Sequence, residues 1–208
     1  VLMSSVNGET RAKVATNLLH DYGYFNGSVS YKEVPQKNPK EAKVSYVIDM
    51  ARPYFLDSIA YLKYPHYADS LIQSTRSLSV LKSEENFSVI KLEEERQRLS
   101  NLFRNHGYYY YRPEFTTYRA DTLQKSGYVS LQVVPRNGIP AEAKKQYYIG
   151  NTSVYLTGYD NEPPTDTLRL RTMTFYYSGK KPGIRPNALM RNVFFRKGEL
   201  FSQDRQTF

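Results

Sequence analysis

The 208 residues contain no cysteine and no tryptophan. Without cysteine there is no disulfide framework and no thiolate metal site. Histidine is scarce as well. His20, His66 and His106 stand far apart, and no HExxH pattern joins them. No apolar run approaches the roughly 18 residues that a membrane-spanning helix needs. Catalytic patterns are missing too. There is no G-x-S-x-G elbow, and Gly179-Lys180 cannot open a phosphate loop because Thr174 stands where the first glycine belongs. Glu93, Glu94 and Glu95 are consecutive, so on a helix they point different ways and make no acid–base pair. No catalytic residue, cofactor-binding residue, metal ligand or cofactor is therefore expected, and a non-enzyme is. Val1 to Asn7 has neither a basic start nor a long apolar stretch, so no secretory signal is expected in these residues. Both ends are expected to lie inside a longer protein.

Tyrosine is abundant, with 20 copies. Its apolar ring and polar tip suit strands and half-wet surfaces better than a deep dry core. The net charge is +9. Residues 166–208 hold nine basic and three acidic residues, so about two thirds of the excess sits there. A basic stretch of this kind is suited to nucleic acid, anionic lipid or acidic protein.

The chain contains a repeat. Val14, Ala15, Leu18, Leu19 and Tyr22 recur at helical spacing, which predicts a helix from Glu9 with one apolar stripe. Gly23 ends it, since glycine takes the left-handed cap without a Cβ penalty, and Tyr24-Phe25 follow. Further on, Leu92, Leu99, Leu102, Phe103 and His106 form a second stripe, capped by Gly107 and followed by Tyr108-Tyr109. Ser88 suits the N-cap of that helix. Its glutamates come early and its arginines late, as the helix dipole favours.

Strand pairs follow each capped helix: Ser28–Val34 with Lys43–Asp49, then Glu114–Arg119 with Tyr128–Val134. Further strands are expected at Tyr54–Leu62 and Tyr148–Leu156, and further helices at Tyr67–Leu81 and Arg185–Phe195. The predicted class is α+β. Each module has two helices on a three-stranded mixed sheet in the order β-α-α-β-β. The division is a partial module over 1–51, a complete one over 52–145, and an incomplete one over 146–208.

The run Phe87-x4-Leu92-x2-Glu95-Arg96-x2-Leu99-x7-Gly107-Tyr108-Tyr109 resembles the second helix of a POTRA (polypeptide-transport-associated) domain. Tyr148-Ile149-Gly150-Asn151 looks like the opening strand of the next such module. Together they resemble the periplasmic part of BamA/TamA-type outer-membrane assembly and translocation proteins. The tyrosine-rich character looks most like that of the Bacteroides group. Asp57-Ser58 departs from the pattern where Gly150-Asn151 stands in the later copy, and Thr157–Thr167 reads as an insertion.

The resemblance implies a periplasmic location, anchored to the outer membrane through the protein's own barrel beyond this chain. It implies a chaperone-like role, with unfolded outer-membrane proteins or accessory subunits as partners. An exposed sheet edge can accept an extended client as an added strand. The expected edges are Ser28–Val34 and Glu114–Arg119, with Phe115, Thr117 and Tyr118 making client contacts. Arg112, Pro113 and Arg119 could instead blunt the second edge. Arg185, Arg191, Arg196 and Lys197 are the candidate basic patch, facing anionic lipid or acidic subunits. The alternatives are the periplasmic arm of a two-partner-type secretion transporter and, from a different class, a basic nucleic-acid-binding protein. Alternation along a strand puts at most half of Tyr108–Tyr111 on one side, so a base-stacking platform, and with it nucleic acid as a partner, is not expected.

Overall fold

The computed structural model describes residues 7–38, 42–157, 163–191 and 193–206. It divides into two compact units, one made of Val1–Arg98 and Thr116–Arg136, the other of Leu99–Phe115 and Asn137–Phe208.

The first unit begins with α1 (Gly8–Asp21). The Asn7 side chain caps it by accepting from the Thr10 N–H at 3.0 Å. Two antiparallel strands follow, β1 (Ser28–Pro35) and β2 (Ala42–Asp49). The expected apolar stripe is not the buried side of α1. Val14 and Leu18 are 62% and 55% exposed, whereas Gly8 and Ala12 are buried. Thr16, one turn further, accepts from the Val29 N–H through its hydroxyl. Gly8, Ala12 and Thr16 are small residues at four-residue spacing. Gly8 leaves room for the Tyr31 ring and Thr16 meets the β1 backbone, which the bulkier stripe would prevent.

The rest of this unit is a sheet covered by helices. The chain runs through β3 (Phe55–Tyr61), α2 (His66–Ser74) and α3 (Val89–Asn105), whose last turns belong to the second unit. It then returns through β4 (Thr116–Asp121) and β5 (Tyr128–Pro135). The order strand, helix, helix, strand, strand is the expected one. The sheet order is β3-β5-β4, with β3 parallel and β4 antiparallel to the central β5. Leu56, Ile72, Val129, Leu131 and Val133 are buried to within 1% of full enclosure. The α2 helix is shorter than expected. Thr75 folds its hydroxyl onto the Leu71 carbonyl, and a 3-10 turn over Arg76–Leu78 follows. Asp57-Ser58 coincides with a bulge: pairing with β5 shifts between Leu56 and Ile59.

In the second unit, Phe103 packs edge-on to Tyr111, with ring centroids 4.6 Å apart. Its sheet contains β6 (Thr152–Leu156), β7 (Asp166–Leu170) and β8 (Met173–Tyr177), in the order β6-β8-β7. Pairing is again parallel to the opening strand and antiparallel to the other. Here the expectation needs correcting. Three strands come in succession before the short helix α4 (Pro186–Arg191). The β7–β8 hairpin was missed because its two-residue turn is Arg171-Thr172, which carries no glycine, asparagine or proline to mark it. Arg171 adopts φ +51° there, a conformation costly for a side chain.

The two glycine caps sit in matching surroundings. Gly23 has φ +88° and Gly107 φ +94°. The Gly23 carbonyl accepts from the Tyr54 N–H at 2.9 Å, and the Tyr54 carbonyl from the Phe87 N–H at 2.9 Å. Likewise the Gly107 carbonyl accepts from the Tyr147 N–H at 2.8 Å, and the Tyr147 carbonyl from the Phe201 N–H at 2.9 Å. Aromatic rings seal both places. Phe25 touches Tyr54 and Phe87, and Tyr109 touches Tyr147 and Phe201. One local design is thus used twice, each time within its own unit.

Candidate functional site

A sheet edge can bind another chain only if its backbone groups are free. On the β3 side that edge is partly occupied. The Leu56 N–H donates to the Glu85 carbonyl and the Glu84 N–H to the Leu56 carbonyl, both at 2.8 Å. No strand pairs with the outer side of β4 among the described residues. In the first sheet, β1 and β2 likewise pair only with each other among the described residues.

The expected contact residues are divided by the structure. Phe115 is not in the strand; it ends a 3-10 turn over Pro113–Phe115 and lies edge-on to Tyr111. Pro113 in that turn also means that proline does not interrupt β4. Tyr118 points towards α3. Its hydroxyl donates to the Leu92 carbonyl at 2.6 Å, and the Arg96 guanidinium lies 5.1 Å from its ring centre. Burial, with the nearby Glu95 charge, raises the Tyr118 pKa far above that of an ordinary tyrosine. Thr117 and its alternate neighbour Arg119 project to the opposite face. They remain the candidates for contact with a guest strand.

A buried polar network that the sequence did not reveal joins α3 to β3 and to the chain before α3. Glu95 is fully enclosed. Its carboxylate accepts from Arg98 Nε and Nη2 at 2.9 and 2.6 Å, from the Tyr61 hydroxyl at 2.5 Å and from the Val80 N–H at 3.1 Å. Burial opposes the charge on Arg98, but its bonds to Glu95 more than offset this, and its pKa lies above the usual value. The sequence signal is slight: Glu95 falls four residues before Leu99 on the buried side of α3.

The basic candidates also separate. Arg191 and Arg196 line a cavity of about 620 Å³ together with Arg171 from the β7–β8 turn. Arg185 and Lys197 do not line it. No ion pair reaches any of its three arginines among the described residues. Glu199 accepts from the Arg196 backbone N–H and pairs with Arg205. Arg171 was not foreseen, because nothing in the sequence says that residue 171 turns towards residue 191.

The complete module joins two helices to one mixed sheet in the order β-α-α-β-β, with the last strand in the centre. That is the arrangement expected of a POTRA-like module. The chain is similar to POTRA domains 3–5 of Haemophilus influenzae BamA, at 8% identity and TM-score 0.47, over 97% of this chain and 66% of that one. It is similar to Haemophilus ducreyi BamA lacking POTRA domains 1–3, at 14% identity and TM-score 0.40, over 63% of this chain and 24% of that one. A third similar structure is the N-terminal domain of Omp85 from Thermosynechococcus elongatus, at 15% identity and TM-score 0.29, over 95% and 68% of the two chains. No family model matches the sequence, and no curated protein matches it.

The POTRA-like module uses its tyrosines as packing groups. In the run after Gly107, Tyr111 is buried. Tyr109 and Tyr110 meet each other edge-on, at 84°. Bases stack on open ring faces, and these two rings are not laid out as a continuous platform. His106, at the end of α3, places Nδ1 2.8 Å from the Leu102 carbonyl. No helix among the described residues is long and apolar enough to cross a membrane.

The network predicts a pH response. Burial, then the bond to Glu95, pushes the Tyr61 pKa from 10.0 up to about 12. The folded pKa is raised, so this contribution to stability is complete below pH 10 and is lost as pH rises from 10 towards about 12. Urea midpoints should fall across that interval. Tyr61→Phe should make the fall shallower, with Tyr118 leaving a residual slope. An unchanged slope would remove Tyr61 as its source.

Proposed function

We propose that this chain is the periplasmic, protein-binding part of an outer-membrane assembly factor, and that its POTRA-like modules receive extended client segments along β4. The observation that carries the reading is the outer edge of β4, with which no strand pairs among the described residues, beside a β3 edge that the chain itself partly covers. An added strand would gain main-chain hydrogen bonds, which tolerate many sequences. Side chains such as Thr117 and Arg119 would adjust the fit. The module boundaries in this reading are 1–51, 52–145 and 146–208. The matching surroundings of Gly23 and Gly107 support both cuts. Clients are unfolded outer-membrane proteins or accessory subunits, and a barrel beyond this chain is the anchor.

The absence of cysteine makes a clean test possible. A single cysteine at Thr117 and, separately, one at the exposed Gln73 on α2 can each carry an environment-sensitive fluorophore. A denatured outer-membrane barrel protein, diluted into each sample, should change the signal at Thr117 and leave that at Gln73 unchanged. Equal responses, or none, would reject the β4 edge as the binding place.

A further inference from the structure

We infer that the arginine-lined cavity between the β7–β8 turn and α4 binds the phosphate headgroup of an anionic lipid. Three arginines line one space, Arg171 from the β7–β8 turn, and Arg191 and Arg196 from the end of α4 and the chain just after it. Like charges gathered in this way repel one another unless an anion lies among them. None of the three has a carboxylate partner among the described residues, since Glu199 is engaged by the Arg196 backbone and by Arg205. Guanidinium forks match phosphate oxygens in pairs of parallel hydrogen bonds. Arg171 also occupies a positive-φ turn position at which glycine would be easier, and that turn places it on the cavity wall.

The wall is also partly apolar, which favours a lipid over a small free anion. Met173, Met190 and Phe195 line it. In the flanking chain, Ile184 and Phe194 are 52% and 51% exposed. Cations beside exposed apolar side chains are the composition of surfaces that settle at a bilayer interface. The basic excess of residues 166–208 acts over a longer range in the same direction. The site does not involve the β4 edge, so client binding and lipid binding can fail independently.

The test is sedimentation of the whole chain with vesicles of phosphatidylcholine, with and without phosphatidylglycerol. The chain should pellet with the anionic vesicles, and less so as salt is added. The triple variant Arg171→Gln, Arg191→Gln, Arg196→Gln should bind at least about tenfold more weakly. The double variant Arg185→Gln, Lys197→Gln should show a clearly smaller loss. Equal losses in the two variants would assign binding to diffuse charge and overturn the cavity. Indifference to phosphatidylglycerol would overturn the lipid. Inorganic phosphate that raises the melting temperature of the parent chain but not of the triple variant, without vesicle binding, would leave a free-anion site and also overturn the lipid. Should the triple variant melt early in phosphate-free buffer, Arg191→Glu alone carries the same expectation.

Discussion

Replacing Glu95 by alanine is expected to destabilise the first unit by about 3–5 kcal/mol, the range for breaking a buried ion pair from one side. The reason is what remains. Arg98 keeps its charge with its side chain only 16% exposed, and loses both bonds to the carboxylate. The Val80 N–H loses its acceptor, while the Tyr61 hydroxyl retains Ser79 at 3.0 Å. Glu95→Gln keeps the shape and some acceptors, so it should cost less. The pair Glu95→Leu, Arg98→Met should recover part of the loss, because no uncompensated charge is then buried. Chemical denaturation of the four proteins measures this directly. A single variant within about 1 kcal/mol of the parent would mean that water or another group compensates Arg98. Tyr61 and α3 meet in this network, and Tyr118 ties β4 to α3 nearby. The Glu95→Ala variant should therefore also weaken client response at Thr117, if the β4 edge is the binding place.

Gly23→Val is expected to cost more than Gly107→Val, although both residues have positive φ. Any side chain pays about 1–2 kcal/mol for left-handed backbone, and a β-branched one pays more. The difference lies in the neighbours. A Cβ at Gly23 would stand 2.8 Å from the Phe87 carbonyl oxygen, which is backbone and is held by its own chain. A Cβ at Gly107 would stand 2.6 Å from Leu200 Cδ1, the flexible end of a side chain. Leu200 can turn aside; Phe87 can move only with the segment that leads into α3. Alanine separates the two effects most clearly. Gly107→Ala should lose little more than the φ cost, and Gly23→Ala distinctly more. Thermal melts of the four variants test the order, and equal losses at the two positions would show that the Phe87 backbone yields as easily as a leucine methyl.

The candidate site was only partly legible beforehand. The Glu114–Arg119 edge was expected, and an edge strand lies at Thr116–Asp121. Inside it, the inward turn of Tyr118 depends on α3 lying beneath, which alternation alone cannot reveal. Phe115 fell outside because the Pro113 turn delays the strand. Of the basic candidates, Arg191 and Arg196 line one cavity with Arg171, while Arg185 and Lys197 do not line it. Charge density along a sequence shows how much positive charge is present, and nothing about which guanidinium groups meet.

The sequence by itself determined the elements that depend on near neighbours: the helices ended by Gly23 and Gly107, the alternating strands from Ser28 and Tyr128, and the β-α-α-β-β order of the middle segment. These follow from backbone sterics and from the period of apolar residues, which act over a few positions. Tertiary structure alone decided that α1 buries Gly8 and Ala12, with Thr16 half-buried, rather than Val14 and Leu18. It also enclosed Glu95 as the centre of a network, folded β7 and β8 into a hairpin without a turn signal, and gathered three arginines around one cavity. Each of these depends on which distant segment comes to lie opposite. A short, close-packed neighbour favours small residues, a buried cation requires a buried carboxylate, and neither requirement is present until the chain has folded.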